Sequence, residues 1–324
     1  MGPRVSQALQ HVIASISPAS QANAEVVRAR IAKAGTPVLE RLASRLAGAQ
    51  HTPNPRAARR LVVVVAGDHG CGDPGIAMGA DHPTVLAAHA IADGSAALCQ
   101  VARAAQTPIV LVDGGAREPT HMPPIAIALG RGPTRDLMHE MAMTVVDAAL
   151  GLDAGIALSL SLCEQAPDLL ATGALGVGAE VASAAILAAV TGRAPSGLSD
   201  DIAEAAGHRG LALSGRGALE ILATFGGSET AVLAGVMLGA ASINVPVILD
   251  GHATGAAALI ATALAPAARG YLIAAHRGSF TMPAILAHLG LEPAFEVGLG
   301  HGEGTGAAMA LPLLDQVAAL AARG

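Results

Sequence analysis

The sequence predicts an α/β protein whose mostly parallel sheet is covered by helices on both faces. Short, continuous runs of β-branched residues alternate with alanine-rich stretches that are long enough for helices. Strands that are apolar throughout belong to sheets buried on both faces, and such sheets are parallel with helical crossovers. The composition, 52% hydrophobic but only 1% aromatic, also predicts close packing of small aliphatic side chains and glycines.

A small helical unit is predicted at the start of the chain. Charged residues recur among apolar ones at helical spacing, as in Glu25–Ile31. The segment His51–Arg56 then supplies prolines and turn-forming residues, which indicate a boundary. We therefore predict a small helical domain over residues 1–56, which residues 312–324 can join, and an α/β nucleotide-binding domain over residues 57–311.

Four predicted strands each run into a polar turn that contains Asp or His. In parallel sheets, ligands bind outside the carboxyl ends of the strands. These polar residues are therefore expected to gather at one edge of the sheet. The four runs are Leu61–His69, Ile109–Gly115, Val245–His252 and Tyr271–Arg277.

Two other segments are harder to assign. Thr230–Leu249 carries no charge over a membrane-spanning length, but Ser242, Asn244 and Pro246 interrupt it near its end. We interpret it as a buried helix followed by a buried strand. In Gly130–Gly178, glycine and alanine dilute the periodicity, so no element boundaries are predicted there.

Composition and charge exclude several functional classes. With a net charge of -6, no basic stripe and few aromatic rings, the chain is not expected to bind nucleic acid. Cys71, Cys99 and Cys163 are far apart, as reduced thiols in a cytoplasm would be. The N-terminus lacks the apolar stretch of a secretory signal. A cytoplasmic protein without membrane attachment is expected.

The clearest motif is Phe295–Pro312, which predicts a short strand, a glycine loop and an apolar helix. Glu303 stands between glycines in this loop. Glycines allow a ligand to approach the backbone, and the N–H groups of the following helix favour an anion. The alternative is that Glu303 only caps the helix, which its position before Thr305 also permits.

A second glycine cluster, Thr172–Glu180, also precedes an apolar helix. Its backbone N–H groups suit a phosphate. It lacks the Lys and Ser/Thr of a P-loop, and its glycine spacing does not match the dinucleotide fingerprint. Close helix packing is the alternative interpretation of these glycines.

The strand-ending Asp and His residues do not predict a metal site. Asp68, His69, Asp250, His252 and His276 show no recognised ligand spacing. Asp at the end of a strand more often accepts hydrogen bonds from neighbouring loop N–H groups. No metal is therefore expected.

Several blocks of sequence occur in the order that one enzyme family shows. They are Ala66–Gly70, Val112–Gly115, Gly173–Gly178, Leu219–Ala241, Val245–Leu259 and Gly302–Ala308. Over residue 20 to the end, the chain thereby resembles the nicotinate-nucleotide:dimethylbenzimidazole phosphoribosyltransferase family. The resemblance implies a doubly wound sheet with a small helical domain, a homodimer, and no cofactor. It also implies nicotinate mononucleotide and an aromatic base as substrates, in the activation of the lower ligand of cobamides.

The resemblance also assigns site residues. The glutamate of the family's Gly-Glu-Gly-Ser/Thr-Gly block is the general base, and Glu303 occupies that position. The pyridinium of the nucleotide leaves as a neutral ring, so the reaction needs a base for the incoming nitrogen and no acid for the leaving group. The implied nucleotide-binding residues are Gly176, Val177, Gly178, Ala179, Gly302 and Gly304, and those of the base pocket are Gly79, Ala87 and His301.

Several positions depart from the family pattern. The family's Gly-Glu-Met-Gly-Ile-Gly-Asn-Thr-Thr has its Glu at Ala174 and its Asn-Thr pair at Ala179–Glu180. The base-contacting Ser and Gln of well-known members fall on Gly79 and Ala87, and the Arg-Leu before Gly-Glu-Gly falls on Gly300–His301. Glu180 places a negative charge near a phosphate, which is unfavourable unless a cation offsets it.

Three functions follow from these observations. The first is a phosphoribosyltransferase, for which the retained Glu303 argues. The second is a regulatory paralogue that binds nucleotide or base without turnover, for which Ala174, Ala179 and Ala87 argue. The third, a dinucleotide-dependent oxidoreductase, rests on sheet topology alone and lacks the fingerprint.

Overall fold

The computed structural model describes residues 6–32, 36–71, 75–129, 132–195, 201–299 and 302–323. Its sheet has the strand order β3-β2-β1-β4-β5-β6, and every neighbouring pair is parallel. This is the order of a doubly wound sheet, in which successive strands are added outward from β1 on one side and from β4 on the other. The strands are β1 (Arg60–Gly67), β2 (Ile109–Gly115), β3 (Ile127–Ala128), β4 (Leu169–Leu175), β5 (Val247–Leu249) and β6 (Leu272–Ala274).

Helices precede the sheet, connect its strands and follow it. They are α1 (Gln7–Ser15), α2 (Gln21–Ile31), α3 (Pro37–Ala49), α4 (Pro83–Ala92), α5 (Ala97–Ala104), α6 (Val145–Cys163), α7 (Ala179–Thr191), α8 (Asp201–Leu211), α9 (Ala218–Phe225), α10 (Ser228–Ser242), α11 (Gly251–Leu264), α12 (Met282–Leu289) and α13 (Thr305–Arg323).

The alternation of side chains along β1 divides the core into two layers. Val63 and Val65 lie in an apolar cluster with helices that include α6, α10 and α11. Val62 and Val64 point to the other face, into a cluster with α2, α3, α5 and α13. Successive side chains of a strand point to opposite faces, so an entirely apolar strand requires cover on both. The predicted fold class is therefore confirmed.

Glycines bring the helices on the first face into close contact. A Cβ on Gly155 of α6 would lie 2.0 Å from the carbonyl oxygen of Val232 in α10, and one on Gly235 would lie 2.2 Å from that of Leu152. Only glycine fits at such separations. This packing explains how a core with so few aromatic rings fills its interior.

The strand predictions are largely confirmed, with two differences. β5 begins at Val247, because Pro246 has no N–H to donate to a neighbouring strand. The strand predicted at Phe295 is wrong, since Phe295 forms only an isolated bridge with His276. The unassigned region 130–178 contains α6 and β4, and Thr230–Leu249 forms α10 and β5 as predicted.

The N-terminal helices share their core with the sheet. Val27 and Leu42 lie in the same apolar cluster as Val62 and the α13 residue Leu314. Arg30 of α2 also donates a 2.7 Å hydrogen bond to the carbonyl oxygen of Ala321. The C-terminal helix thus packs on the N-terminal ones, while the division of the chain at residue 56 stays a prediction.

Three helical segments have the length and apolar composition of a membrane span: Pro83–Ala104, Val145–Cys163 and Thr305–Ala322. Length and composition alone define them. Thr305–Ala322 contributes Ala307, Leu311 and Leu314 to the core of the second face. The absence of membrane attachment stays a prediction.

Candidate active site

A cavity of about 200 Å³ opens at the carboxyl end of β4, beside the point between β1 and β4 where the order of the strands reverses. Ligands of doubly wound proteins bind at this point. The residues that line it come from the end of β4 and the loop after it, the starts of α4, α7 and α11, and the loop before α13. They are Pro83, Thr84, Ala87, Ala174, Leu175, Gly176, Val177, Ala179, Glu180, His252, Ala253, Gly302 and Glu303.

The N-terminal ends of several helices converge on this cavity. Pro83 begins α4, Ala179 begins α7, and His252 is the second residue of α11. The first N–H groups of a helix have no partner within it, and the helix dipole places partial positive charge there. In α4, Pro83 has no N–H and the N–H of Thr84 donates to Nδ1 of His82, so the free helix N–H groups among the described lining residues belong to α7 and α11. Convergence of such ends makes the cavity favourable for an anion without requiring lysine or arginine.

Glu303 lies at the cavity, and the loop that carries it is fixed by β4. The amide of Ala174 donates a 3.0 Å hydrogen bond to the carbonyl oxygen of Gly302. A Cβ on Gly173 would lie 2.5 Å from the carbonyl carbon of Glu303, so the loop rests directly on the strand. The Glu303 side chain is exposed and has no ion pair or hydrogen bond with any described residue. A lone carboxylate therefore faces the open cavity.

A buried Asp250–His276 pair holds the start of α13. Asp250 accepts a 3.0 Å hydrogen bond from the N–H of Gly306 and lies 2.5 Å from Nε2 of His276. The N–H of Gly278 donates to Nδ1 of His276, which leaves Nε2 as the nitrogen that donates to Asp250. Asp250, rather than Glu303, thus bonds the first turn of the helix. The capping interpretation of Glu303 has no such contact in its favour within the described residues.

Asp68 connects the end of β1 to the glycine loop after β4. Its buried carboxylate accepts hydrogen bonds from the Val177 N–H at 2.9 Å, the Thr84 hydroxyl at 2.5 Å and the Arg117 N–H at 2.8 Å. The N–H of His69 donates to the carbonyl oxygen of Val177. Asp68 thus behaves as expected for a strand-ending Asp. The Val177 N–H is therefore engaged and is not left to a phosphate.

Glycine is required in this loop for two reasons. A Cβ on Gly176 would lie 1.9 Å from the carbonyl oxygen of Gly67 in β1. Gly178, which precedes α7, has a φ of 86°, in the left-handed region that favours glycine. The loop therefore crosses β1 at contact distance and turns directly into the helix.

A buried ion pair lies beneath the loop. Nε2 of His69 and Oε1 of Glu229 are 3.0 Å apart, and both side chains are inaccessible to solvent. Burial opposes the charge on each group, but their mutual attraction and hydrogen bond outweigh it. The pKa of His69 is raised above its ordinary value and that of Glu229 is lowered.

The other predicted site residues are distributed as follows. Ala87 lines the cavity, whereas Gly79 lies in a 3-10 turn before α4, outside the lining. Gly304 is buried against Val62 and Leu98, beneath the cavity. His301 lies outside the described residues. Gly79 is therefore not brought together with Glu303 and Ala87.

His252 lines the cavity although no sequence pattern had placed it in a nucleotide site. Its Nε2 lies 3.8 Å from a carboxylate oxygen of Glu180. Its position directly after the strand-ending Asp250 was the available indication. Among the described residues, no group of three or more His, Cys, Asp or Glu side chains is placed to hold a metal ion.

Comparisons with known proteins agree with this geometry. A family model described as phosphoribosyltransferase matches residues 16–323. A crystal structure of CobT from Thermus thermophilus is similar, with a TM-score of 0.82 and 31% identity over 92% of this chain and 96% of that one. Fold, cavity and family model together define a phosphoribosyltransferase, and hence a pentosyltransferase.

The names of curated relatives specify the kind of phosphoribosyltransferase. The nicotinate-nucleotide--dimethylbenzimidazole phosphoribosyltransferase of Roseiflexus sp. (strain RS-1) is 37% identical, over 94% of this chain and 92% of its own. The enzyme of the same name from Deinococcus radiodurans is 35% identical, over 98% and 93%. The chain belongs to the nicotinate-nucleotide:dimethylbenzimidazole phosphoribosyltransferase family. The comparisons give the regulatory alternative no support.

Proposed function

We propose that this protein transfers phosphoribose from nicotinate mononucleotide to a benzimidazole-like base, releasing nicotinate, in the activation of a cobamide lower ligand. The observation that carries the proposal is the Glu303 carboxylate, which has no partner among the described residues and lies at a cavity on which several helix N-termini converge. The names of the relatives supply the substrates.

In the proposed reaction, a ring nitrogen of the base attacks C1′ of the ribose. The bond from C1′ to the pyridinium nitrogen breaks, and its electron pair returns to the ring, so nicotinate leaves without protonation. The second ring nitrogen of the base gives up its proton to Glu303 as the positive charge develops on the base. Positioning of the two substrates contributes much of the remaining rate enhancement.

We assign the nucleotide phosphate to the start of α7, against the amides of Gly178 and Ala179. The backbone can approach the substrate closely, or pack beneath the substrate, at three glycines: Gly176, Gly302 and Gly304. We assign the acceptor base to the Ala87 side of the cavity. Because the wall there is a methyl group, selection among bases is expected to depend more on shape than on hydrogen bonds.

The predicted homodimer and cytoplasmic location form part of the same proposal. Val146, Leu150 and Leu160 are exposed on one face of α6, with Val146 63% accessible. An apolar stripe of this kind is typical of an interface between protein chains. We assign it to the contact with a second copy.

The test is release of nicotinate by the purified protein from nicotinate mononucleotide and a panel of benzimidazoles, purines and phenols. Base-dependent release with formation of the base ribotide is expected. Absence of release with every member of the panel would refute the proposal, and a two-chain mass by light scattering tests the dimer.

A further inference from the structure

Among the described residues that line the cavity, one side chain can carry a positive charge. Among the described lining residues, Glu180 and Glu303 are acids, His252 is an imidazole, and there is no lysine or arginine. The only lysine of the sequence is Lys33, far along the chain from every cavity-forming loop. Among the described residues, the groups available to neutralise a nucleotide phosphate placed here are therefore the helix N-termini and His252.

His252 is held at the point where a phosphate would lie between two helices. It is the second residue of α11, and its Nε2 reaches to 3.8 Å from Oε1 of Glu180, the second residue of α7. Only 16% of its side chain is accessible, and its ring lies 5.7 Å from that of Phe280. The imidazole thus lies between the N-terminus of α11, which carries it, and the N-terminus of α7, to which we assign the phosphate.

Burial and the neighbouring charges have opposing effects on the pKa of His252. Burial lowers the pKa of His252, Glu180 raises it, and His69, which is paired with Glu229, lowers it; the net direction is downward. In the protein without substrate, the ring therefore gives up its proton more readily than an ordinary histidine. A phosphate beside it adds negative charge and favours the protonated form.

We propose that His252, as an imidazolium, is the side-chain ligand of the nucleotide phosphate, and that Glu180 orients the ring and offsets its charge. This inference rests on the proposed function and adds to it the group that replaces a basic side chain. It also gives Glu180 a role in phosphate binding, although its carboxylate alone would repel the phosphate. With His252 between them, the two anions are separated by a cation.

Nucleotide binding is then coupled to uptake of a proton. The affinity falls as the pH rises above the pKa of the ring in the complex, because the neutral ring cannot neutralise the phosphate. The chemical step at Glu303 does not depend on this proton. The pH dependence should therefore appear in KM for the nucleotide, and much less in kcat.

The experiment compares H252Q and H252K with the unchanged protein in steady-state assays from about pH 6 to about pH 9, a range that spans the ordinary pKa of histidine. We expect H252Q to raise KM for nicotinate mononucleotide by roughly ten- to a hundredfold, the scale of one hydrogen bond to a charged group. We expect kcat to change far less, and H252K to recover most of the affinity with KM constant over this range. H139Q, on an exposed loop histidine, is the matched control.

Two further measurements are needed. The first shows whether His252 binds the phosphate or the ribose, and the second tests His252 independently of the proposed reaction. Nicotinate riboside lacks the phosphate. Its inhibition constant should therefore be the same for H252Q and for the unchanged protein. Calorimetry of nicotinate mononucleotide in two buffers of different ionisation enthalpy should show proton uptake in the unchanged protein, and little in H252Q.

An unaltered KM in H252Q, or equal losses for riboside and nucleotide, would overturn the assignment. If the unchanged protein releases no nicotinate, the proposed function fails, and proton-linked binding of nicotinate mononucleotide still decides the role of His252. Near-ultraviolet circular dichroism verifies that each variant keeps its tertiary structure.

Discussion

Oδ1 of Asp68 accepts a hydrogen bond from the amide of Val177 at 2.9 Å, across 109 residues of sequence. This bond joins the ends of β1 and β4, the two strands between which the strand order reverses. It holds the glycine loop over β1, next to the start of α7, which lines the cavity.

D68N tests this connection. One oxygen of an amide cannot accept all three of the hydrogen bonds that the carboxylate accepts, so the loop should lose its fixed position. We expect KM for the nucleotide to rise at least tenfold and stability to fall by about 1–3 kcal/mol. The control is D113N, on another buried strand-ending aspartate that bonds the N–H groups of Gly115 and Ala116. It should cost stability but leave KM unaltered; equal KM values in the two variants would contradict the assignment.

E303Q tests the general base. The amide keeps the shape of the side chain but cannot take the proton of the incoming base, so kcat should fall about a hundredfold or more. KM for the nucleotide should change little. E164Q, at the end of α6, serves as the control, and rates are measured by release of nicotinate. A near-normal kcat in E303Q would show that another group removes the proton.

G173A tests whether β4 positions the loop that carries Glu303. The added Cβ would lie 2.5 Å from the backbone of Glu303 and Gly304, so the loop must shift. A displacement of about 1 Å can cost about a hundredfold in rate, and we expect a loss in kcat of that order. G217A, where an added Cβ meets nothing within 4 Å, should leave kcat unchanged. Equal activity of the two variants would show that Gly173 does not position the loop.

The buried His69–Glu229 pair predicts a particular dependence of stability on pH. The raised pKa of His69 gives stability that is full below its ordinary pKa of 6.5 and is lost as the pH rises through the folded value. The lowered pKa of Glu229 gives stability that is full above 4.5 and is lost as the pH falls through the folded value. The contribution of the pair should therefore be largest between pH 4.5 and 6.5.

Chemical unfolding of H69Q, E229Q and the double variant at several pH values measures this contribution. Each single change should lower the free energy of unfolding by about 3–5 kcal/mol, because it leaves a buried charge unpaired. The double variant should cost less than the sum of the two. H139Q, which breaks an exposed pair with Asp136, should cost less than about 1 kcal/mol. Additive losses in the double variant would show that the two groups do not stabilise each other.

The combined change V146E and L150E tests the dimer. Two carboxylates on the exposed apolar face of α6 would be desolvated and would repel their counterparts in a symmetric contact. We expect a one-chain mass by light scattering, against a two-chain mass for the unchanged protein. V26E, on the exposed face of α2, is the control. A two-chain mass in the combined variant would place the contact elsewhere.

Local sequence patterns were sufficient to establish the fold class, four of the strands and the glycine loops. The apolar runs that became β1, β2, β5 and β6 are continuous in the chain, and burial on both faces of the sheet follows directly from them. Glu303 was identifiable because glycines flank it and an apolar helix follows. β4 and α6 were missed because glycine and alanine, which serve close helix packing here, remove the contrast on which periodicity depends.

The roles of the polar residues, in contrast, follow from the tertiary structure alone. The amide of Val177 bonds Asp68 instead of remaining open to a ligand, Asp250 holds the first turn of α13, and His252 meets Glu180 across two helix N-termini. Each of these contacts joins residues from different strands or loops. Their distances are set by sheet order and helix packing, which depend on the whole core, so no local pattern of residues encodes them.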